Sequence, residues 1–341
     1  ELGLAFLARH QQEDGSWTLG GFDVGQNDVA MQLSSDTAAT GLAILAFQGA
    51  GYNHREFKYA SQLQAAIDWL VEHQQPSGEL YLSADEQSNK FCRLYSHGIA
   101  SLALTEAYGM TQDESLLPAL RKALDFIGDS QHPDLGGWRY VPGEQADTSV
   151  TGWMMMAMQS ARLAGLETDP KVWIGIERWA DNAQDVELQH LFRYRPEARD
   201  TDTTRHGRTP SPCMTAVGLL MRLYMGWDRI DPRLLEGSEY LMEHLPSDSS
   251  INTRDTYYWY YATQIIRHVG GESWDKWHGA LHPLLVQSQI KEGDMAGSWD
   301  PLNPVPDRWG AQAGRLYVTT MNLLSLEVDY RLLPLYDETV K

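Results

Sequence analysis

Apolar positions along this chain fall into two alternating kinds of helix-like segment. One kind is amphipathic: Leu63, Ala66, Ile67, Leu70 and Val71 keep the spacing of a helix with a single buried stripe. The same rhythm runs through Leu117, Leu120, Leu124 and Ile127, and through Leu234, Leu235, Ser238, Leu241, Met242 and Leu245. Residues 1–12, 170–184 and 273–289 supply three more, with Pro170 and Pro232 near helix starts, where a missing N–H costs little. The other kind is apolar or aromatic nearly all round and reads DTAATGLAILAF, RLYSHGIASLAL, DTSVTGWMMMAM, CMTAVGLLMRLY, DTYYWYYATQII and RLYVTTMNLLSL. A helix that is apolar on every side has to be enclosed.

These enclosed segments recur. Asp36, Arg93, Asp147, Cys213, Asp255 and Arg315 open them, at intervals of 57, 54, 66, 42 and 60 residues, and Gly41, Gly98, Gly152, Gly218, Tyr260 and Thr320 hold the aligned positions five residues on. A period of this size marks a repeat architecture in which each unit buries its apolar face against its neighbours. Twelve helices in six pairs, the amphipathic members outside and the enclosed ones inside, predict an all-α fold: an α/α toroid of six hairpins with two concentric rings of helices. Closing the array lets one core run through all 341 residues, so residues 1–341 are read as one domain.

Composition narrows the partners. A net charge of −19 repels nucleic acid and anionic membranes over most of the surface. No apolar run reaches the length of a membrane helix, and two cysteines, Cys92 and Cys213, are too few for a disulfide framework. The chain starts at Glu1, without Met, inside a helix-like stretch, so a fragment or mature form of a longer protein is expected. The 12 Trp and 16 Tyr need a core or a cavity to fill. Residues 192–212 form the longest loop and carry Arg193, Arg195, Arg199, Arg205 and Arg208; they read either as a solvated loop with its own acidic partners or as a lid over one mouth of the toroid.

Several outer segments end in Gln, followed by Gly and then Trp: QQEDGSW from Gln11, QHPDLGGW from Gln131 and QIKEGDMAGSW from Gln289, with QQPSGELY from Gln74 as a weaker fourth. They resemble the Gln-Trp repeats of squalene-hopene and oxidosqualene cyclases. With the toroid layout, the whole chain is similar to the terpenoid cyclase and protein prenyltransferase superfamily. More narrowly, YSHGIASLALTEAYGMT, DTSVTGWMMMAM and SLEVDYRLLPLY resemble a bacterial group described as prenyltransferase and squalene oxidase repeat proteins. The resemblance implies the fold and an isoprenoid-like or other apolar ligand.

It does not bring the superfamily's chemistry with it. A class II cyclase protonates its substrate with the middle Asp of a DxDD motif; here Asp36 stands at the last position, Ser35 at the acid and Leu33 at the first, and Glu144, Ala146 and Asp147 also lack the acid. No DDxxD cluster for Mg²⁺ is present. Cys213, Asp255 and His97 are the residue types of a prenyltransferase zinc site, but His97 belongs across the ring from the other two. His278 and His282 are four residues apart on an outer helix, without a third ligand nearby. Neither metal nor cofactor is therefore expected.

In a toroid the inner helices run parallel, so the recurring Asp, Arg and Cys positions gather at one mouth, near the positive ends of the helix dipoles. Asp36, Asp147 and Asp255 read as N-caps there, with Arg93 and Arg315 paired to them or to adjacent loops. Tyr95, His97, Trp153, Tyr258, Trp259 and Tyr317 point toward the centre in this reading, either lining a cavity or filling it. The leading expectation is a toroid that binds an apolar or extended ligand in its central cavity, with Arg93, Arg315, Cys213 and the aromatic residues as contacts. The alternatives are a divergent isoprenoid cyclase or prenyltransferase using Asp36, His97, Asp147 and Asp255, and a filled toroid that engages a protein partner.

Overall fold

The computed structural model describes residues 1–20 and 33–331. Its described part is helical, with no strand named among the elements. Six inner helices, α2 (Asp36–Gly49), α5 (Arg93–Thr111), α7 (Thr148–Leu163), α9 (Pro212–Tyr224), α11 (Thr256–Val269) and α13 (Gly310–Leu326), pack in that order, and α13 closes on α2. Outside them lie α1 (Leu2–Arg9), α3 (Ala60–Glu72), α6 (Leu117–Asp129), α8 (Pro170–Ala183), α10 (Pro232–Met242) and α12 (Gly271–Ser288), with short α4 (Glu86–Phe91) ahead of α5 and α14 (Val328–Arg331) after α13. This is the expected α/α toroid. Every residue of α7 from Thr148 to Met158 is buried, whereas α10 buries only Leu234, Gly237, Ser238 and Leu241.

Glycine on the inner helices sets how close neighbours come. A Cβ at Gly41 would lie 2.9 Å from Ile99 of α5, at Gly98 3.2 Å from the Trp153 Cβ of α7, and at Gly152 2.6 Å from Val217 of α9. Gly218 does not continue the series: a Cβ there would strike Phe192, in the loop before its own helix, at 2.1 Å.

The Gln, Gly and Trp of the recurring segments tie the outer ring together. Gln131 Nε2 donates to Gly136 O (2.8 Å) in its own loop and to Val172 O (3.0 Å) in the first turn of α8. Gln11 bridges Gly15 and Gln62 of α3, and Gln74 bridges Gly78 and Ala119 of α6, in the same way. Trp17, Trp138 and Trp299 each turn their indole N–H back to a carbonyl of the preceding outer helix, at Leu7, Ile127 and Leu285 (2.8–2.9 Å). Buried indoles thereby keep their polar atom satisfied.

The backbone N–H of each of those Trp residues donates to a Thr one turn inside an inner helix: Thr40, Thr151 and Thr319. In the fourth repeat Phe192 N donates to Thr215 Oγ1 (3.1 Å), and Ser211 caps α9 by accepting from Met214 N (3.3 Å). Ser211 is thus the counterpart of Asp147, and the fourth segment is registered two residues earlier than its apolar pattern suggests. Cys213 lies inside the helix, not at its cap.

The interior of the ring is occupied. Trp153 of α7 stacks on Tyr260 of α11 with centroids 5.7 Å apart and meets Tyr261 edge-on at 6.0 Å. Tyr260 Oη reaches Met156 Sδ (3.8 Å), and Tyr257 Oη donates to Ser149 O (3.3 Å). Helices α7 and α11 are not neighbours, since α9 separates them, so these contacts span the inside of the ring. Trp153, Tyr260 and Tyr261 are at most 1% exposed. Close packing of this kind leaves no room for a guest at that level.

Candidate functional site

The recurring charged positions do not form one ring of partners. Arg93 makes a two-point contact with Glu79 in the loop before α5 (2.5 and 2.8 Å), and Arg315 lies 3.4 Å from Asp300 and 3.3 Å from Ser298 in the loop before its own helix. Each arginine is therefore a strut for its adjoining loop, and Arg93 holds its carboxylate in the two-point fork geometry. Asp36 is not the cap of α2, because Ser35 accepts from Ala38 N (3.1 Å) and fills that role. Asp36 instead lines an open depression of about 560 Å³ with Gln12, Glu13, Asp14, Ser16 and Thr18; burial raises its pKa, and Asp14 adds to the shift.

His97 is fully buried on the outer side of α5. Its Nδ1 accepts from Leu80 N (3.0 Å) and its Nε2 faces Ala123 O (3.2 Å) of α6, which is the role Thr40, Thr151 and Thr319 play elsewhere. It takes no part in the mouth. Burial pushes its pKa from 6.5 down to about 3. The unfolded chain therefore binds more protons across that window, and stability rises with pH through it and is lost as pH falls. A His97→Thr variant keeps the acceptor. Urea melts are expected to show it losing less stability than the parent between neutral and acid pH, by up to ~1.4 kcal/mol per pH unit. Parallel pH slopes would rule this out.

Tyr258 and Trp259 also point away from the axis. Tyr258 Oη donates to Leu241 O (3.2 Å) and His244 O (3.1 Å) and meets Trp277 edge-on, all on the outer ring. Trp259 is buried, and Thr263, one turn on along the same face of α11, accepts from the Trp277 indole N–H of α12 (2.9 Å), which turns that face to the outer ring. The inward face of α11 is Tyr257, Tyr260 and Tyr261, a one-turn spacing that the run of five consecutive aromatics from Tyr257 to Tyr261 hides in the chain. His278 and His282 stack at 4.9 Å on α12; among the described residues no three His, Cys, Asp or Glu side chains come together as a metal set.

What the fold does assemble lies at the N-terminal mouth. Asp147 caps α7: Oδ1 accepts from Val150 N (2.9 Å) and Ser149 Oγ (2.8 Å), and Oδ2 faces Tyr194 Oη (3.1 Å) and Arg139 Nε (3.4 Å). Ser149 is in turn 2.6 Å from Tyr95 Oη, and Tyr194 is 2.6 Å from Tyr140 Oη. Tyr194 arrives from the long Arg-bearing loop, which docks on α7 through Thr148 N to Tyr194 O (3.1 Å). Within that loop Arg195 and Arg205 pair with Glu197 and Asp200, and Arg193 pairs with Asp185 just before it. Burial pushes the Asp147 pKa up to about 6, against the hydrogen bonds and Arg139, which favour the charge.

Asp255 caps α11 by accepting from Tyr258 N (3.0 Å), with Arg308 Nε 3.7 Å from its other oxygen. Burial raises it to about 6 as well, and nearby Asp307 adds to the shift. Cys213 and Tyr317 feel this carboxylate; both have pKa values raised well above the ordinary ones, chiefly by burial. Half-buried Tyr95, Cys213 and Tyr317, with Tyr257 beneath, therefore bring four inner helices to one polar and aromatic mouth above the filled interior. Asp147, reached from Tyr95 through Ser149, and Asp255, near Cys213 and Tyr317, are two separate buried carboxyls displaced toward neutrality on this rim, the kind of group an acid–base or binding site uses.

No family model matches this sequence, and no curated protein matches it either. Solved structures do match over nearly the full length. An α-1,6-mannanase of a Salegentibacter species, held as an inactive variant with α-1,6-mannotriose, superposes with a TM-score of 0.62 at 9% identity, covering 97% of each chain. A type II terpene cyclase, MstE from Scytonema, in complex with geranylgeranyl dihydroxybenzoate, gives 0.57 at 14% identity over 96% of this chain and 95% of that one. An α-amylase from Clostridium perfringens gives 0.63 at 12% identity over 96% of both. The chain therefore shares its α/α toroid fold with enzymes of unrelated chemistry, and the fold alone does not choose among them.

Proposed function

We propose that this protein binds an extended, largely apolar ligand at the N-terminal mouth of the toroid, against Tyr95, Cys213, Tyr257 and Tyr317. The observation that carries this reading is the contrast between the two levels of the ring. Below, Trp153, Tyr260 and Tyr261 leave the interior solid; above, aromatic faces from opposing helices stay half-buried beside two carboxyls. The isoprenoid ligand class is supported by the segments resembling terpenoid cyclases and by the likeness to a toroid holding a geranylgeranyl compound. A site displaced to the mouth accounts for the lack of a catalytic acid above an open cavity.

Titration with geranylgeraniol, followed by aromatic fluorescence, tests this. Tyr317→Ala is expected to weaken binding about tenfold or more, a loss of ~1.4 kcal/mol, while Tyr258→Phe on the outer side leaves it unchanged. Equal affinity in both variants would remove the mouth as the site. A second reading, a divergent isoprenoid-converting enzyme, is favoured by the carboxyls at Asp147 and Asp255, both raised to about 6. Turnover of a polyprenyl diphosphate that vanishes in Asp255→Asn with folding intact would establish it; no turnover in the parent protein would dismiss it.

A further inference from the structure

Two hydroxyl chains converge on Asp147, and elementary hydrogen-bond chemistry fixes their direction. An ionised carboxylate only accepts. Ser149 must then spend its one hydrogen on Asp147 Oδ1 (2.8 Å), so at 2.6 Å the hydrogen between Ser149 and Tyr95 belongs to Tyr95. The Tyr95 hydroxyl is left with only lone pairs to offer the mouth. The second chain runs from Tyr140 through Tyr194 to Oδ2, where Arg139 also lies at 3.4 Å.

Protonation reverses the first chain alone. The Arg139 cation beside Oδ2 disfavours a proton on that oxygen, so Oδ1 takes it and donates to Ser149. Ser149 then turns its hydrogen to Tyr95, and Tyr95 turns its own outward. Nothing is consumed in this rearrangement: one proton enters from solvent and each hydroxyl keeps one hydrogen. The groups facing Asp147 are Arg139 and Tyr140 from the loop after α6, Tyr194 from the loop after α8, Tyr95 from α5, and Ser149 with the Val150 N–H from α7.

We propose that Asp147, acting through Ser149, sets whether the Tyr95 hydroxyl accepts or donates at the mouth, so that the site selects a ligand bearing a hydroxyl group while Asp147 is ionised. The ligand part of this inference rests on the mouth reading above; the polarity of Tyr95 does not. Asp147 and Ser149 are positioning residues here, and Tyr95 is the contact. Burial of Asp147 brings the reversal to about pH 6.

The test compares geranylgeraniol with its methyl ether, which has an acceptor and no donor. Near pH 8 the alcohol is expected to bind the parent protein about tenfold tighter, and near about pH 5.5 that preference shrinks severalfold. Tyr95→Phe is expected to bind both compounds equally at either pH, and Asp147→Asn to lose the pH dependence. Equal affinities in the parent protein at both pH values overturn the inference and leave the mouth standing as a site. If neither compound binds, the mouth reading falls, and the polarity of Tyr95 is decided without ligand. The Raman doublet that reports tyrosine hydroxyl donation, taken as parent minus Tyr95→Phe, is expected to change between the two pH values. A pH-invariant difference spectrum overturns the inference whatever the ligand result.

Discussion

Gly297→Ala is expected to destabilise the protein by about 3–5 kcal/mol, a large effect for a single added methyl, because two independent penalties meet at one atom. Gly297 has a φ of +102°, a conformation that L side chains rarely adopt. Its Cβ would lie 2.2 Å from the Leu2 carbonyl oxygen and 2.9 Å from the Phe6 Cβ. Leu2 opens α1, so the collision falls where the last outer loop meets the first outer helix and the outer ring closes. A backbone oxygen cannot swing aside as a side chain can. Gly136 repeats the arrangement against the Gly175 carbonyl at 2.2 Å, which makes it a feature of the repeat. Gly51 supplies the control, having a φ of +88° with nothing near its would-be Cβ. Gly51→Ala should cost only the conformational part, ~1–2 kcal/mol. Urea melts of the two variants separate the contributions, and unfolding at the same denaturant concentration would rule out a role for Gly297 in closing the ring.

Trp153→Ala is expected to cost about 3–5 kcal/mol and to open a cavity inside the ring. The indole lies between Tyr260 and Tyr261 and is 1% exposed, so neither tyrosine can follow it without leaving its own contacts. An apolar cavity of this kind stays dry and takes up a small aromatic molecule. Benzene should therefore raise the melting temperature of Trp153→Ala and leave that of the parent protein unchanged. A comparable rise in the parent would mean that the interior already holds a void, and the ligand site would move back from the mouth to the axis.

Which parts of this structure are legible in the chain follows from how each residue is buried. The outer helices announce themselves, because one wet face and one dry face leave a period in the sequence. The Gln, Gly and Trp segments are equally plain, since a buried indole and a bridging amide demand those residue types at those distances. The inner helices are recognisable as enclosed, and for that same reason their orientation is not. When every face is apolar there is no period to say which one looks inward. The pattern therefore sends His97, Tyr258 and Trp259 to the centre although they pack outward, and leaves Tyr257 and Tyr261 unmarked.

The fourth repeat shows the same effect along the helix axis. Its apolar run aligns Cys213 and Gly218 with the other segments, whereas the hydrogen bonds align Ser211 and Thr215. The site depends still more on tertiary structure. Tyr194 reaches Asp147 from 47 residues away, and Ser149 matters because Tyr95, 54 residues distant, ends against it.

By itself, then, the chain determined a closed double ring of helices, since recurrence and all-round apolarity admit few other ways to bury so much surface. It also placed the charged positions at helix starts, where caps and dipoles favour the aspartates and each arginine has to find a carboxylate. Only the tertiary structure decided that the interior is solid, that the arginines serve their own loops, and that Asp147 gathers a hydroxyl network. Those outcomes turn on rotation and register within helices that are hydrophobic on every side, and such helices carry no sequence signal for either.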